Sequence, residues 1–312
     1  MEHLTRTFDW SGIDGSRFAS LLSTERRDDQ RVVLIGLPDD LGVKLNNGRP
    51  GAKDGPSVFR STLAKMGTAW DASHEHEIGV RIFDAGDVSP ANGDGPDALD
   101  ETHRRVTEVA RAFHDEGMIV VGIGGGHDLT FPMVRAYSQS AGRKVGGVNV
   151  DPHLDVRERA GSGMPYRRLI EGGFVDGHRF VEFGAGRFDN SREHLDWVKS
   201  QGGAVRELTA IRAGKHAPAD ALTHACEHGG PGFVSIDLDC VEGALGVSAV
   251  PALGMPLDTV LRFATLAGVH SSVRHFDIME LSPMHDAGNR TARIAALTFQ
   301  TFIAGVQERV QS

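Results

Sequence analysis

The chain has 312 residues, 40% of them hydrophobic and 24% charged, so it can bury a sizeable core and is not composed like a disordered or fibrous protein. Lys and Arg number 33 against 42 Asp and Glu, a formal charge of −9, which disfavours a nucleic-acid or anionic-membrane partner, because both need a cationic face. Two cysteines, Cys226 and Cys240, are too few for a secreted disulfide framework and lack zinc-site spacing. The first 15 residues hold no apolar leader core, and no stretch approaches the ~20 apolar residues that span a bilayer, so the cytoplasm is the expected compartment.

Short β-branched, mostly continuous apolar runs predict strands over Arg31–Gly36, Val80–Asp84, Met118–Gly122, Val145–Asp151, Arg179–Gly184, Gly232–Asp239 and Val273–Leu281. Helical spacing predicts Ser57–Met66, Asp97–Glu116, Ser191–Ser200, Ala219–Glu227, Leu257–Gly268 and Thr291–Arg309. Strands that are apolar on both sides and alternate with helices indicate a three-layer α/β/α fold around a mainly parallel sheet. With no linker, repeat or low-complexity segment, residues 1–312 read as a single domain, residues 1–30 being an N-terminal extension packed on or beside it.

Val121–His127 reads VGIGGGH, which fits neither the dinucleotide fingerprint nor a P-loop, so no nucleotide site is supported. In open parallel sheets, ligands gather at the carboxyl ends of the strands, and three predicted strand ends are rich in metal donors. They are His127 after three glycines, Asp151-Pro-His153-Leu-Asp155, and Asp237-Leu-Asp239. If the strands stay extended, alternate residues project to one side, which groups Asp151, His153 and Asp155, and likewise Asp237 and Asp239. Four carboxylates and two imidazoles in one place repel without cations. Oxygen and nitrogen donors without thiolate suit Mn²⁺ and similar ions, and six ligands suit two ions sharing carboxylates at about 3.5–4 Å.

The segments GGGHD (124–128), DPHLD (151–155) and SIDLD (235–239), with GRPGAKDGP (48–56) and DIMELSP (277–283), resemble the motifs of the ureohydrolases, the arginase and agmatinase superfamily. The resemblance runs from about Gly36 to the C-terminus. It implies two Mn²⁺ ions, one held by His127, Asp151, Asp155 and Asp237, the other by Asp151, His153, Asp237 and Asp239. It also implies a homo-oligomer, a trimer or hexamer. Four features, at 42–52, Arg157, Ser162-Gly163-Met164-Pro165 and 246–250, are similar to the formimidoylglutamase branch. Ala244 is a small departure from it.

That branch implies hydrolysis of N-formimidoyl-L-glutamate to L-glutamate and formamide, part of histidine degradation, by a metal-bridging hydroxide. Asp155 is then expected to take a proton or hydrogen bond from the bridging water, and Glu280 to pair with the amidinium. Arg157 and Arg187 are candidates for the substrate carboxylates, Ser162 for a polar wall, and Asn46 and Asn190 for further polar contacts. The alternatives are a guanidino-substrate enzyme that releases urea and a non-catalytic relative that keeps the fold.

Other residues read as structural. His74 and His76 lie in HEHE, which lacks the HExxH helical spacing, and read as a solvated lead into the next strand; His285 reads as a loop residue and Cys226 as packing.

Overall fold

The computed structural model describes residues 3–5 and 8–311, so Met1, Glu2, Arg6, Thr7 and Ser312 of the expected 1–312 domain lie outside the described residues. The strands are β1 (Leu4–Thr5), β2 (Leu22–Ser23), β3 (Gln30–Leu37), β4 (Trp70–Asp71), β5 (His76–Glu77), β6 (Arg81–Val88), β7 (Ile119–Gly124), β8 (Val145–Val150), β9 (Val175–Ala185), β10 (Ala204–Glu207), β11 (Gly232–Asp237) and β12 (Val273–Met279). The helices are α1 (Leu41–Leu45), α2 (Gly55–Leu63), α3 (Pro96–Asp115), α4 (Thr130–Ala141), α5 (Pro165–Glu171), α6 (Arg192–Ser200), α7 (Leu208–Arg212), α8 (Pro218–Ala225), α9 (Leu257–Val269) and α10 (Arg290–Gln311).

Among the described residues, ten strands form one sheet in the order β1-β6-β3-β7-β12-β11-β8-β9-β10, with β2 also beside β6; β4 and β5 make a separate hairpin. Every pairing in the large sheet is parallel except β1 with β6. The parallel arrangement follows from the sequence: β7, β8 and β11 are buried at all six positions each, which requires cover on both faces. On one face Val234, Ile236, Phe276 and Ile278 pack with residues of α2, α8, α9 and α10. On the other, Met279 packs with α3 and α4, and Phe233 with α4 and α5. The expected three-layer α/β/α architecture is the one the chain adopts.

Trp10, Phe18, Leu21 and Leu22 are buried in the main core, which anchors the N-terminal segment to the sheet. Trp10 Nε1 donates to Asp84 Oδ2 at 2.8 Å, and the fully buried Arg60 spans Asp84 and Asp87.

Helix α4 was absent from the sequence expectations. Eight of its twelve residues are buried, so it shows little amphipathic rhythm, and Pro132 lies in its first turn, where a missing N–H breaks no helical bond. Asp239 also falls outside its expected strand: β11 ends at Asp237, and residues Leu238–Cys240 form a 3₁₀ turn.

Candidate metal centre

The strands β7, β12, β11 and β8 are adjacent in the sheet, and each delivers a site residue from its carboxyl end. After β7, Gly125 donates to Leu37 O at 3.0 Å and Gly126 to Asp39 O at 2.9 Å. A Cβ on Gly125 would lie 1.9 Å from Asp39 O, so only glycine permits this close turn. It delivers His127 onto the centre.

The two acidic motifs close by a shared device. Asp151 Oδ1 accepts from the His153 N–H at 2.7 Å, and Asp237 Oδ1 accepts from the Asp239 N–H at 2.7 Å. The donors therefore converge through side-chain-to-backbone turns and not through a continued extended strand, which corrects the alternation argument. A further contact steadies the first motif: Asn190 Oδ1 accepts from the Leu154 N–H at 2.9 Å while its Nδ2 donates to Pro152 O at 2.8 Å.

His127 Nδ1 faces one oxygen each of Asp151, Asp155 and Asp237 at 3.1, 3.1 and 3.0 Å, yet makes no hydrogen bond of acceptable geometry. Donors about 2.1 Å from a six-coordinate cation sit about 3 Å apart, so this spacing matches a shared ion better than direct pairing. His153 Nδ1 lies 3.3 Å from both Asp151 and Asp239, forming a second group that shares Asp151 with the first. All six expected ligands are thus brought together. Asp237, expected to serve both ions, groups with the first set.

Burial drives the carboxyl groups away from ionisation. Asp237 is held well above the usual range by burial and then by Asp239 and Asp151; Asp239 is pushed up to about 7 by burial foremost, with Asp151 adding to it. Asp155 is raised for the same two reasons, and Glu280 reaches about 8 through burial and Asp237. In Asp151 the contacts with His127 and His153 outweigh burial and lower it. Crowded acids of this kind are compatible with full ionisation only when cations are present, and the mixed imidazole and carboxylate set, free of thiolate, fits Mn²⁺-type ions.

Beneath the donors lies a feature that sequence reasoning missed. At one register across neighbouring strands, Asp277 pairs with Ser235, Ser235 with Asn149, and Asn149 with Glu182. All four are fully buried. Ser235 Oγ makes a short hydrogen bond to Asp277 and lies 3.0 Å from His127 Nε2; Asp277 also meets His275 Nε2 at 2.8 Å. Tyr166 donates to Asn149 Oδ1 at 2.7 Å and sits 3.1 Å from His127 Nε2, while Asn149 Nδ2 donates to Glu182 at 2.9 Å. Such partners set the tautomer and angle of a ligating histidine. The available signal was a polar residue two positions before each ligating Asp, in Asn149-Val-Asp151 and Ser235-Ile-Asp237.

Above the centre a cavity of about 90 Å³ is walled by the donors together with Asn46, Arg157, Ser162, Ser248, Ala249 and Glu280. Glu280 Oε1 accepts from the His127 N–H at 2.9 Å, leaving Oε2 buried and without a hydrogen-bond partner. At the mouth, Arg157 Nη1 donates to Asn46 Oδ1, and Asn46 Nδ2 donates to Ser162 Oγ at 3.2 Å. Asp155, Glu280, Arg157, Ser162 and Asn46 are therefore assembled around one space. Arg187 and Asn190 do not line it. Arg187 is exposed and stacks over Phe188, and both amide ends of Asn190 are occupied by backbone, which makes Asn190 a loop staple.

The arginase-family model matches residues 30–304, so the chain belongs to the arginase family. The formimidoylglutamase of Halobacterium salinarum is 32% identical over 288 residues, which cover 90% of this chain and 89% of that protein. That of Aeromonas hydrophila is 31% identical over 282 residues, 85% and 84% of the respective chains. The crystal structure of Trypanosoma cruzi formiminoglutamase with Mn²⁺ aligns with a TM-score of 0.86 and 32% identity, covering 95% of this chain and all of that one. Proclavaminate amidino hydrolase from Streptomyces clavuligerus, 22% identical with a TM-score of 0.81, shares the fold.

Proposed function

We propose that this chain is a binuclear-manganese hydrolase that cleaves N-formimidoyl-L-glutamate to L-glutamate and formamide. The observation that carries the reading is the division of charge around one small cavity: an unpaired carboxylate oxygen of Glu280 inside, and the Arg157 guanidinium at the mouth. The substrate has the complementary division, with an amidine at one end and two carboxylates at the other.

When bound, two Mn²⁺ ions supply the Lewis acidity that makes water a nucleophile near neutral pH. His127, Asp151, Asp155 and Asp237 would hold one and Asp151, His153, Asp237 and Asp239 the other. The Glu280 carboxylate pairs with the amidinium and aims its carbon at the centre. Asp155, beside His127 and facing the cavity, accepts the proton of the attacking water and passes it to the departing nitrogen. With the amidine end in the cavity, the glutamyl carboxylates meet Arg157 at the mouth, with Asn46 and Ser162 holding that guanidinium and wall in place. A guanidino substrate without a carboxylate, such as agmatine, gains nothing from Arg157, which disfavours that form of the urea-releasing alternative; arginine, with one carboxylate, is separated by the assay below.

Two buried free cysteines accord with a cytoplasmic setting, and the family resemblance with a homo-oligomer, trimer or hexamer. Among the described residues no helix is long and apolar enough to cross a membrane.

The test is parallel hydrolysis of N-formimidoyl-L-glutamate, arginine and agmatine by Mn²⁺-loaded protein, with formamide and urea measured. Formamide from the first alone, abolished in Asp237→Ala and with a raised KM at near-constant kcat in Arg157→Met, is the expected result. Urea from a guanidino substrate refutes the substrate assignment, and absence of turnover on all three refutes the activity.

A further inference from the structure

The β4–β5 hairpin holds two histidines, remote in sequence from every residue of the centre above, that the reaction does not use. Asp71 organises the turn: its Oδ1 accepts from the Ser73 and His74 N–H groups at 2.8 and 3.3 Å, and its Oδ2 lies 3.0 Å from His74 Nδ1. A carboxylate against Nδ1 fixes the proton there and leaves the Nε2 lone pair outward, the arrangement that prepares a histidine for a metal. The His76 ring stacks on that of His74, with centroids 5.9 Å apart and planes 23° apart. The left-handed backbone of Glu75, at φ 54°, forms the bend between them.

The hairpin then meets α10, which lies more than 200 residues away in the chain. His76 Nε2 lies 3.0 Å from Glu308 Oε1, and Gln307 Oε1 accepts from the Gly79 N–H at 2.8 Å. One donor atom each from His74, His76 and Glu308 falls within 4.8 Å of the others. Donors about 2.05 Å from a tetrahedral ion sit about 3.3 Å apart, so a small rotation of His76 or Glu308 opens the observed 3.0 Å contact enough to admit one. Charge points the same way. Two stacked imidazoles each facing a carboxylate draw two protons into mutual repulsion, whereas a single divalent ion satisfies both carboxylates and both rings.

We infer that His74, His76 and Glu308 form a peripheral site for one zinc-class ion, with Asp71 orienting His74, which clasps the hairpin to the end of α10. Two imidazoles and one carboxylate favour Zn²⁺, Ni²⁺ or Cu²⁺ over Mn²⁺ or Mg²⁺. His74, Asp71 and Glu308 also help to line an adjoining cavity of about 440 Å³, which leaves room for water to complete the coordination. Sequence spacing gives no sign of this set, because Glu308 joins the two histidines from the other end of the chain.

The experiment adds Zn²⁺ to Mn²⁺-loaded enzyme, counts both metals per chain by mass spectrometry, and follows amide exchange over residues 70–78. The expected result is one added zinc with manganese unchanged. Hairpin opening should slow about tenfold when free zinc stands about tenfold above its dissociation constant. His74→Ala and His76→Ala should take up no added zinc while keeping their manganese and turnover. No zinc uptake, uptake equal in the variants, or uptake matched by manganese loss with unchanged hairpin exchange overturns the inference. Because metals and exchange are counted independently of substrate, failure here is distinct from failure of the proposed activity.

Discussion

Ser235→Ala tests whether the buried polar row beneath the centre controls metal binding. Ser235 Oγ is a junction: it lies 3.0 Å from His127 Nε2 and 3.2 Å from Thr130 Oγ1, and makes the short bond to Asp277. Truncation leaves His127 Nε2 with the Tyr166 hydroxyl at 3.1 Å and deprives the fully buried Asp277 of one donor. A hydrogen bond to a charged group contributes about 1.5–3 kcal/mol, and loss of an outer partner of a metal-bound histidine typically weakens metal affinity about 10–100-fold, which is about 1.4–2.7 kcal/mol. The two ranges agree. Calorimetric titration of Mn²⁺ into metal-free protein should therefore show one of two binding events weakened by about 10–100-fold. Turnover at saturating Mn²⁺ should stay near that of the parent, because no group touching substrate has changed. Unchanged manganese affinity in a folded Ser235→Ala protein would show that the row merely fills space, and the reasoning would fail.

Three further outcomes follow from named contacts. Glu280→Gln keeps an acceptor for the His127 N–H but removes the charge, so kcat/KM should fall about 10–100-fold with manganese content unchanged; parental kcat/KM removes Glu280 from amidinium binding. Arg60→Met leaves Asp84 and Asp87 as uncompensated buried charges, and urea denaturation should show a loss of about 3–5 kcal/mol; a loss under about 1 kcal/mol contradicts this. His114 is buried against Tyr137, and burial, reinforced by His275 and Arg274, holds its imidazole well below the ordinary 6.5. The unfolded chain then binds the extra proton first. Stability present above pH 6.5 is lost as pH falls below it, by up to about 1.4 kcal/mol per pH unit, and His114→Phe should flatten that slope between pH 7 and 5. Equal slopes in the two proteins would exclude His114 as the source.

The sheet, and the gathering of six potential metal donors at its strand ends, were legible in the sequence because continuous apolar strands end there in Asp or in glycines followed by His. The means of convergence was not: DPHLD and SIDLD read as extended, whereas each folds back on its first aspartate, a turn that alternation cannot signal. The polar row was equally hidden, since Asn149, Ser235 and Asp277 lie in three different strands far apart in sequence and form a row only once register is set. Arg187 is the residue whose expected place the structure does not reproduce. A strand-end position suggested substrate contact, but β9 lies outside the four central strands, and its loop carries Arg187 to the exposed surface while its Asn190 is spent on the backbone of the metal-binding loop. Helix α4 was lost because a helix buried on most sides has no polar face to mark its period.

Backbone strain shows where chemistry overrides stability. Among the described residues, six non-glycine residues have positive φ, and two of them, Asp155 at 47° and Glu280 at 68°, face the cavity above the metal-donor cluster. Glu280 gains from its twist, because its N–H donates to Gly125 O at 2.9 Å while its carboxylate returns to the His127 N–H and joins the β12 end to the β7 loop. Asp155 has a smaller structural return, its carbonyl accepting from the Tyr166 N–H and one carboxylate oxygen lying 3.1 Å from His127 Nδ1, and its carboxyl is raised by burial and by Asp151. Glycine at 155 relieves about 1–2 kcal/mol of left-handed strain and removes a crowded acid, against about 0.4–1 kcal/mol of added unfolded-chain entropy. Metal-free Asp155→Gly should therefore melt at or above the parent temperature while manganese affinity and turnover collapse. A lower melting temperature without metal would show that Asp155 is kept for the fold; the expected rise shows that the carboxylate persists there for the centre it serves.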